Sequence, residues 1–138
     1  MNRRPGRHPA ALAALACSVA ALAGCLSVQS ADLFLLTRTG GGPHLTLLVS
    51  DGGTVRCNGA GAKPLPDNLL LQARDLANKL DTDAKNHLNL PRTSNTVRTY
   101  TVRLKDGTIS FPDTAAQIHP ELAQLELLAA QIAQGPCA

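Results

Sequence analysis

The thiol of Cys25 is the group in this sequence best placed for covalent chemistry, because the small residues Ala23 and Gly24 stand directly before it. The chain opens with three arginines in its first seven residues, and an uncharged, mostly apolar run follows from Ala10 to Ala23. A run of about 14 residues fits the h-region of an export signal and is shorter than the roughly 20 apolar residues that span a membrane. We therefore expect residues 1–24 to be a signal peptide.

The segment Leu22-Ala23-Gly24-Cys25 resembles the lipobox of bacterial lipoproteins. The resemblance implies that the Cys25 thiol receives a diacylglycerol, that cleavage falls directly before it, and that residues 25–31 form a lipidated N-terminus and short tether. It also implies attachment to the membrane through this lipid, at the outer face of the cell membrane or elsewhere in the cell envelope. The alternative is an ordinary secretory signal cut after Ala23, because Ala21 and Ala23 also satisfy the small-x-small cleavage pattern.

Cys57 and Cys137 are the thiols that remain once the signal peptide is removed and Cys25 is acylated. In an exported protein such a pair most often forms a structural disulfide. A bridge would enclose about 80 residues and contribute on the order of 4 kcal/mol to stability. The alternatives are two free thiols, a metal-binding pair and a redox pair. They are less favoured because the sequence has no Cys-x-x-Cys pattern and no histidine near either cysteine.

The sequence contains none of the short motifs that carry common enzyme chemistry. His-Glu-x-x-His, Gly-x-Ser-x-Gly and the glycine-rich phosphate and dinucleotide loops are missing. His44, His87 and His119 are the available bases, but a general base needs a positioned nucleophile or carboxylate, so we interpret all three as surface or capping residues. We expect no catalytic residues, no cofactor and no small-molecule substrate.

The charged residues predict neither a metal site nor a nucleic-acid-binding surface. Asp81 with Asp83, and Asp106 with Asp113, offer fewer oxygen ligands than a Ca²⁺ loop needs, so we interpret them as turn and capping residues. The net charge is +3, from 13 Lys and Arg against 10 Asp and Glu, and the three arginines of the signal segment supply all of the excess. The remaining chain is neutral and lacks the basic surface that displaces counterions from phosphate.

The first half of the mature chain predicts three strands and a helix. Strand-length runs cover residues 32–38, 44–50 and 54–58, and glycine-rich turns separate them. From Asp67, a potential N-cap, leucines and alanines recur at three- and four-residue steps as far as Leu80, which predicts an amphipathic helix. The stretch 59–66 predicts a loop, and the polar stretch 81–91 predicts a loop or a further helical turn.

The second half predicts a hairpin and a final helix. Residues 97–105 alternate between apolar and polar, and Asp106-Gly107 is expected to supply the positive backbone angles of a tight turn into residues 108–111. A helix follows from Pro120 to the Gly135-Pro136 stop, with leucines, Ala129 and Ile132 on its buried stripe. This order predicts an α+β fold: a mostly antiparallel sheet of four or five strands with two helices packed on one face, in a single domain over residues 32–138.

Three segments of the chain resemble the emfourin family of small bacterial proteins. They are Arg38-Thr-Gly-Gly-Gly42 after the first strand, the hairpin Tyr100-Thr-Val-Arg-Leu-Lys-Asp-Gly107, and the helix start Pro120-Glu-Leu-Ala-Gln-Leu125. The resemblance spans most of residues 32–132. The chain departs from that family by its lipobox, its cysteine pair and a longer connection over residues 81–96.

The emfourin resemblance implies a protein that inhibits thermolysin-type metallopeptidases. We therefore expect a lipid-anchored binding protein of the cell envelope whose partner is a peptidase or an envelope protein. Strand-held loops lose little entropy on docking, so two of them carry the predicted partner-binding residues: Gly40, Gly41, Gly42 and Pro43 in the first, and Asp106 and Gly107 in the second. The alternative is a structural envelope lipoprotein that contributes to a larger assembly and has no inhibitory activity.

Overall fold

The computed structural model of this chain describes Val28 and residues 31–138. The expected signal peptide, its cleavage site and Cys25 lie outside the described residues, and what the sequence implies about them stays a prediction. None of the helices in the described part combines the length and the apolar character needed to cross a membrane.

Six antiparallel strands form one sheet in the order β4-β3-β2-β1-β5-β6. The strands are β1 (Asp32–Gly40), β2 (Leu45–Ser50), β3 (Thr54–Cys57), β4 (Lys63–Pro64), β5 (Arg98–Leu104) and β6 (Gly107–Pro112). The short β4 lies in a stretch expected to be a loop. It forms because Leu65 is buried and donates its N–H to the Gly53 carbonyl at 2.9 Å, which draws the preceding residues against β3.

Three α-helices and a 3₁₀ helix accompany the sheet within the described residues, which confirms the predicted α+β class. They are α1 (Asp67–Lys79), α2 (Asp81–Lys85), the 3₁₀ helix (Asp113–Gln117) and α3 (Pro120–Gln134). The sequence predicts Asp67 as the N-cap of α1, but the N-cap is Pro66, whose carbonyl accepts the N–H groups of Leu69 and Leu70 at 3.0 Å each. Asp67 is the first helical residue, where its negative charge favours the positive end of the helix dipole.

The helices cover one face of the sheet and form a single apolar core with it. On the sheet side, Phe34 and Leu36 of β1 lie in this core beside inward residues of the neighbouring strands. Tyr100 of β5 stacks on Phe111 of β6, with ring centroids 5.1 Å apart. On the helix side, the expected stripes are buried: Leu69, Leu70, Ala73 and Leu76 of α1, and Leu122, Leu125, Leu128, Ala129 and Ile132 of α3.

A disulfide joins Cys57, the last residue of β3, to Cys137 behind α3, in agreement with the sequence prediction. The two Cα atoms are 5.8 Å apart, within the usual range for a disulfide. The Cys137 N–H also donates to the Ile132 carbonyl at 3.0 Å. The bridge therefore fixes the end of α3 to the third strand.

Candidate functional site

The pairing of β1 with β5 places the two predicted docking loops at opposite ends of the sheet. Gly40 lies opposite Arg98 at the start of β5, whereas Leu35 lies opposite Arg103 near its end. The β5–β6 turn comes directly after Leu104. At about 3.3 Å per residue, the loops are about 20 Å apart along the strands. The two loops therefore belong to two separate surfaces.

The first loop, Gly40–Pro43, is called the glycine loop below, and all four of its residues are exposed. Gly40 and Gly41 have φ angles of +82° and +28°, which favour glycine. A Cβ atom on Gly40 would overlap the Val97 carbonyl oxygen, and one on Gly41 would overlap the Val97 side chain. Both glycines are therefore required for the loop to lie against the start of β5.

Two arginines hold the glycine loop through its carbonyl groups. Arg98 Nε donates to the Gly41 carbonyl oxygen at 3.2 Å, and Arg38 Nη2 donates to the Pro43 carbonyl oxygen at 3.4 Å. Arg98 extends from β5 and Arg38 from β1, so each hydrogen bond ties the loop to a paired strand. The loop is therefore exposed, while two of its carbonyl groups are held by hydrogen bonds from neighbouring strands.

Asp113 fixes the strand from which Arg98 extends. Its two carboxylate oxygens accept the backbone N–H groups of Val97 at 3.2 Å and Arg98 at 3.0 Å. Asp113 is the first residue of the 3₁₀ helix. Its carboxylate therefore holds the start of β5 against that helix, and the 3₁₀ helix itself has no side-chain cap hydrogen bond.

Glu126 of α3 is an acidic residue on the sheet side of the helix, and its Oε1 atom is buried without a hydrogen-bond partner among the described residues. Burial raises the pKa of Glu126 to about 7, the Asp113 carboxylate adds to the rise, and Arg98 opposes it. Arg38 Nε is likewise buried and unpartnered within the described part. The pKa of Tyr100 is raised by burial and then by Glu126, against the effect of Arg38 and Arg98. These five residues, Arg38, Arg98, Tyr100, Asp113 and Glu126, are called the polar cluster below.

The sequence interpretation did not single out Arg98 or Glu126 as functional residues. Glu126 follows Leu122 by four positions and precedes Ala129 by three, so it lies at the edge of the buried stripe of α3 and is half-buried. A carboxylate at helical spacing from buried apolar residues can be recognised from the sequence alone, so this signal for Glu126 was present. Arg98 offers no comparable signal, because its role depends on the pairing of β5 with β1.

The second predicted loop is packed against α2. Lys85 Nζ lies 2.6 Å from a carboxylate oxygen of Asp81 and 3.8 Å from one of Asp106. Neither Asp106 nor Gly107 has the positive φ angle expected from the sequence. Glycine is needed at position 107 for a different reason, since a Cβ there would overlap the Ala84 carbonyl group of α2.

The three histidines of the mature chain lie at separate places. His44 follows the glycine loop and is exposed, His87 is exposed with a φ angle of +52°, and His119 precedes α3 as its N-cap. The His119 carbonyl accepts the N–H groups of Leu122 and Ala123 at 3.1 Å each. Among the described residues, no cluster of three or more His, Cys, Asp or Glu side chains is arranged to hold a metal ion.

Neither the family models, nor the curated proteins, nor the solved structures gave a match for this chain. The emfourin and lipobox resemblances therefore rest on the residues quoted for them, and the geometry of the glycine loop and the polar cluster is what the structure adds.

Proposed function

We propose that this protein is an exported, lipid-anchored binding protein of the cell envelope that docks on a protein partner through the glycine loop. The observation that supports this most is the combination of exposure and restraint: the loop is open to solvent, while Arg38 and Arg98 hold its carbonyl groups. A segment already fixed in its bound conformation loses less conformational entropy on association. The proposed role is binding without catalysis.

The direction of β1 favours the glycine loop over Asp106-Gly107 as the docking surface. β1 begins at Asp32, seven residues after Cys25, and ends at Gly40. Nine strand residues span about 30 Å, and an extended seven-residue tether reaches about 24 Å at most. With a lipid on Cys25, the Asp32 end of the sheet stays near the membrane and the glycine loop is carried at the opposite end, where a soluble partner can approach it.

The proposed partner is a secreted metallopeptidase of the thermolysin type, as the emfourin resemblance implies. Three successive glycines make the loop narrow, because its backbone carries no side chain between Thr39 and Pro43. A narrow segment with held carbonyl groups suits the substrate cleft of a peptidase, which is built to bind extended backbone. The polar cluster would support the loop from behind without contacting the peptidase.

The test is a titration of thermolysin-type peptidases, including those secreted by the same cell, with the mature protein. Pro43→Glu places a charge at the exposed loop and is expected to weaken inhibition at least tenfold, roughly the effect of one poorly paired, desolvated charge. Gln72→Glu is the matched control: it makes the same charge change on an exposed face of α1 and is expected to inhibit like the wild type.

Two outcomes would overturn this proposal. One is full peptidase activity at micromolar wild-type protein across several such enzymes. The other is equal inhibition by the wild type and Pro43→Glu, since the loop would then lie outside the contact. Neither result would contradict the predicted lipid attachment at Cys25, which is tested separately.

The second candidate is a structural role in an envelope assembly, and the open face of the sheet favours it. The helices pack on the Phe34 side, whereas on the other side of β1 and β2 the half-buried Leu48 lies directly opposite Leu35, which is only 6% exposed. Arg103 lies beside Leu35 and Arg56 beside Leu48, so an arginine flanks this apolar pair on each side. Recovery of the protein in a stable complex that masks this face, together with absence of inhibition, would favour the structural role.

A further inference from the structure

We propose that the open face of the sheet is a second binding surface and that its partner is an acidic segment of another protein. The open face is the side away from the helices, and it carries Leu35, Leu48, Arg56 and Arg103. The inference does not depend on docking through the glycine loop. Its test leaves that loop intact, so the two proposals can fail separately.

The strand register places the two arginines and the two leucines in one row across four strands. Leu48 of β2 pairs with Leu35 of β1 and with Arg56 of β3, and Leu35 pairs with Arg103 of β5. Paired residues point to the same side of a sheet. The order in the row is therefore Arg56, Leu48, Leu35, Arg103, and its two ends are about 14 Å apart, since neighbouring strands are separated by about 4.8 Å.

Both arginines of this row are exposed, and neither forms an ion pair within the described part of the chain. The cations of the α-helices, by contrast, all form ion pairs: Arg74 with Asp51 at 2.6 Å, Lys79 with Asp75 at 2.7 Å, and Lys85 with Asp81 at 2.6 Å. The guanidinium groups of Arg56 and Arg103 are therefore available to carboxylates of another molecule.

The charges of the described chain are divided between its two layers. The strands carry one carboxylate, Asp32 at the start of β1, and five cationic side chains: Arg38, Arg56, Lys63, Arg98 and Arg103. The helices, including the 3₁₀ helix, carry three cationic side chains and seven carboxylates. The sheet layer is therefore positive although the mature chain is neutral, and it attracts an acidic partner.

The composition of the open face favours a protein segment over a nucleic acid or a polysaccharide. Bases bind largely by stacking on aromatic rings, and sugar rings commonly do the same. The chain has three aromatic side chains, Phe34, Tyr100 and Phe111, and all of them lie in the core. Between the two arginines the face offers leucines instead, and an apolar contact enclosed by polar contacts is typical of protein interfaces.

The spacing of the row describes the partner segment in more detail. In an extended chain, residues i and i+4 point to the same side and are about 13 Å apart, which matches the separation of the two arginines. Residue i+2 points to that side as well and would meet the half-buried Leu48. The partner segment is therefore extended, lies across the strands, and has acidic residues at i and i+4 with an apolar residue at i+2.

A row of hydroxyl groups runs beside the arginine row. About 7 Å closer to the glycine loop, two residues along each strand, the same side of the sheet carries Thr46, Thr37, Thr101 and Ser110, paired in this order. Hydroxyl groups both donate and accept hydrogen bonds. They offer polar partners to the segment and add no negative charge that would repel it.

Titration of the isotope-labelled mature protein with a synthetic peptide tests the inference. The peptide Gly-Glu-Thr-Leu-Thr-Glu-Gly, blocked at both ends, has the required spacing, and backbone amide NMR locates its binding site. We expect the amide signals of Leu35, Leu48, Arg56 and Arg103 to shift while those of the glycine loop stay in place. Added salt should weaken binding, because the charge pairs are exposed.

Two matched double variants test the role of the arginines. Arg56→Gln with Arg103→Gln is expected to weaken peptide binding about fivefold, the usual combined effect of two exposed ion pairs. Lys79→Gln with Lys85→Gln makes the same charge change in the helix layer and is expected to bind like the wild type. A peptide with lysine in place of both glutamates should not bind.

Three outcomes would overturn the inference. The first is absence of these shifts at millimolar peptide, or equal binding by the wild type and by Arg56→Gln with Arg103→Gln. The second is binding of heparin, a sulfated polysaccharide, to the same face when the peptide does not bind. The third is a dimer of the protein alone that the arginine variant abolishes, since a second copy would then cover the face. None of these results bears on peptidase inhibition, which Pro43→Glu tests.

Discussion

Replacing both Cys57 and Cys137 by alanine is expected to lower the free energy of unfolding by about 4 kcal/mol, because the bridge closes a long loop in the unfolded chain. The two residues are 80 positions apart. The elements from β4 to α3 lie between them, whereas β1, β2 and most of β3 precede the enclosed segment. Cross-linking so long a segment removes many conformations from the unfolded chain and leaves the folded one nearly unchanged.

Urea unfolding measures this effect. The chain has one tyrosine and no tryptophan, and Tyr100 is stacked on Phe111 in the core, so tyrosine fluorescence and far-ultraviolet circular dichroism are suitable probes. The control is wild-type protein under reducing conditions, which should unfold at nearly the same urea concentration as the double variant. A loss below about 1 kcal/mol in both samples would mean that the bridge does not restrict the unfolded chain as the loop-entropy model requires.

Gly107→Ala is expected to destabilise the fold by about 2 kcal/mol or more, as overpacking a tight contact does. The new Cβ would meet the carbonyl group of Ala84, which belongs to the backbone of α2 and cannot rotate away as a side chain can. Ala84 is itself fully buried. The hairpin and α2 would have to separate, which would expose apolar surface on both.

Gly61→Ala is the matched control for this substitution. Gly61 lies in the exposed connection between β3 and β4, and a Cβ there meets nothing within 4 Å. Its stability is expected to stay within about 0.5 kcal/mol of the wild type. Equal stability of the two variants in urea unfolding would contradict this prediction. It would show that the fold accommodates a Cβ at position 107 and that α2 does not restrain the β5–β6 turn.

Local patterns in the sequence were enough to predict most of the elements and the fold class. The leucine and alanine spacing of α1 and α3 identifies their buried stripes, because a helix repeats every 3.6 residues whatever it packs against. The pairing of Cys57 with Cys137 follows from a count of the thiols that remain after export. β4 could not be predicted in the same way, since its two residues pair only because Leu65 beside them is buried.

The candidate site could be predicted only in part, because it depends on how distant segments pair. The composition of Gly40–Pro43 predicts a turn. Which arginines lie close enough to hydrogen-bond to it depends on the register of β1 against β5. That same register places the glycine loop and Asp106-Gly107 at opposite ends of the sheet. The sequence alone does not show whether these two loops are close together or far apart. Glu126 acquires its raised pKa from burial and from Asp113, thirteen positions earlier in the chain and brought close only by the packing of α3 on the sheet.

Attachment at Cys25 is the claim on which the proposed function depends most, since it gives the glycine loop its place at the end of the sheet away from the membrane. The most direct measurement is the mass of the N-terminal peptide from protein isolated from its own cells. We expect a peptide that begins at Cys25 and carries a diacylglycerol on the thiol. A chain that still begins at Met1, or an unmodified peptide that begins at Gly24, would contradict it.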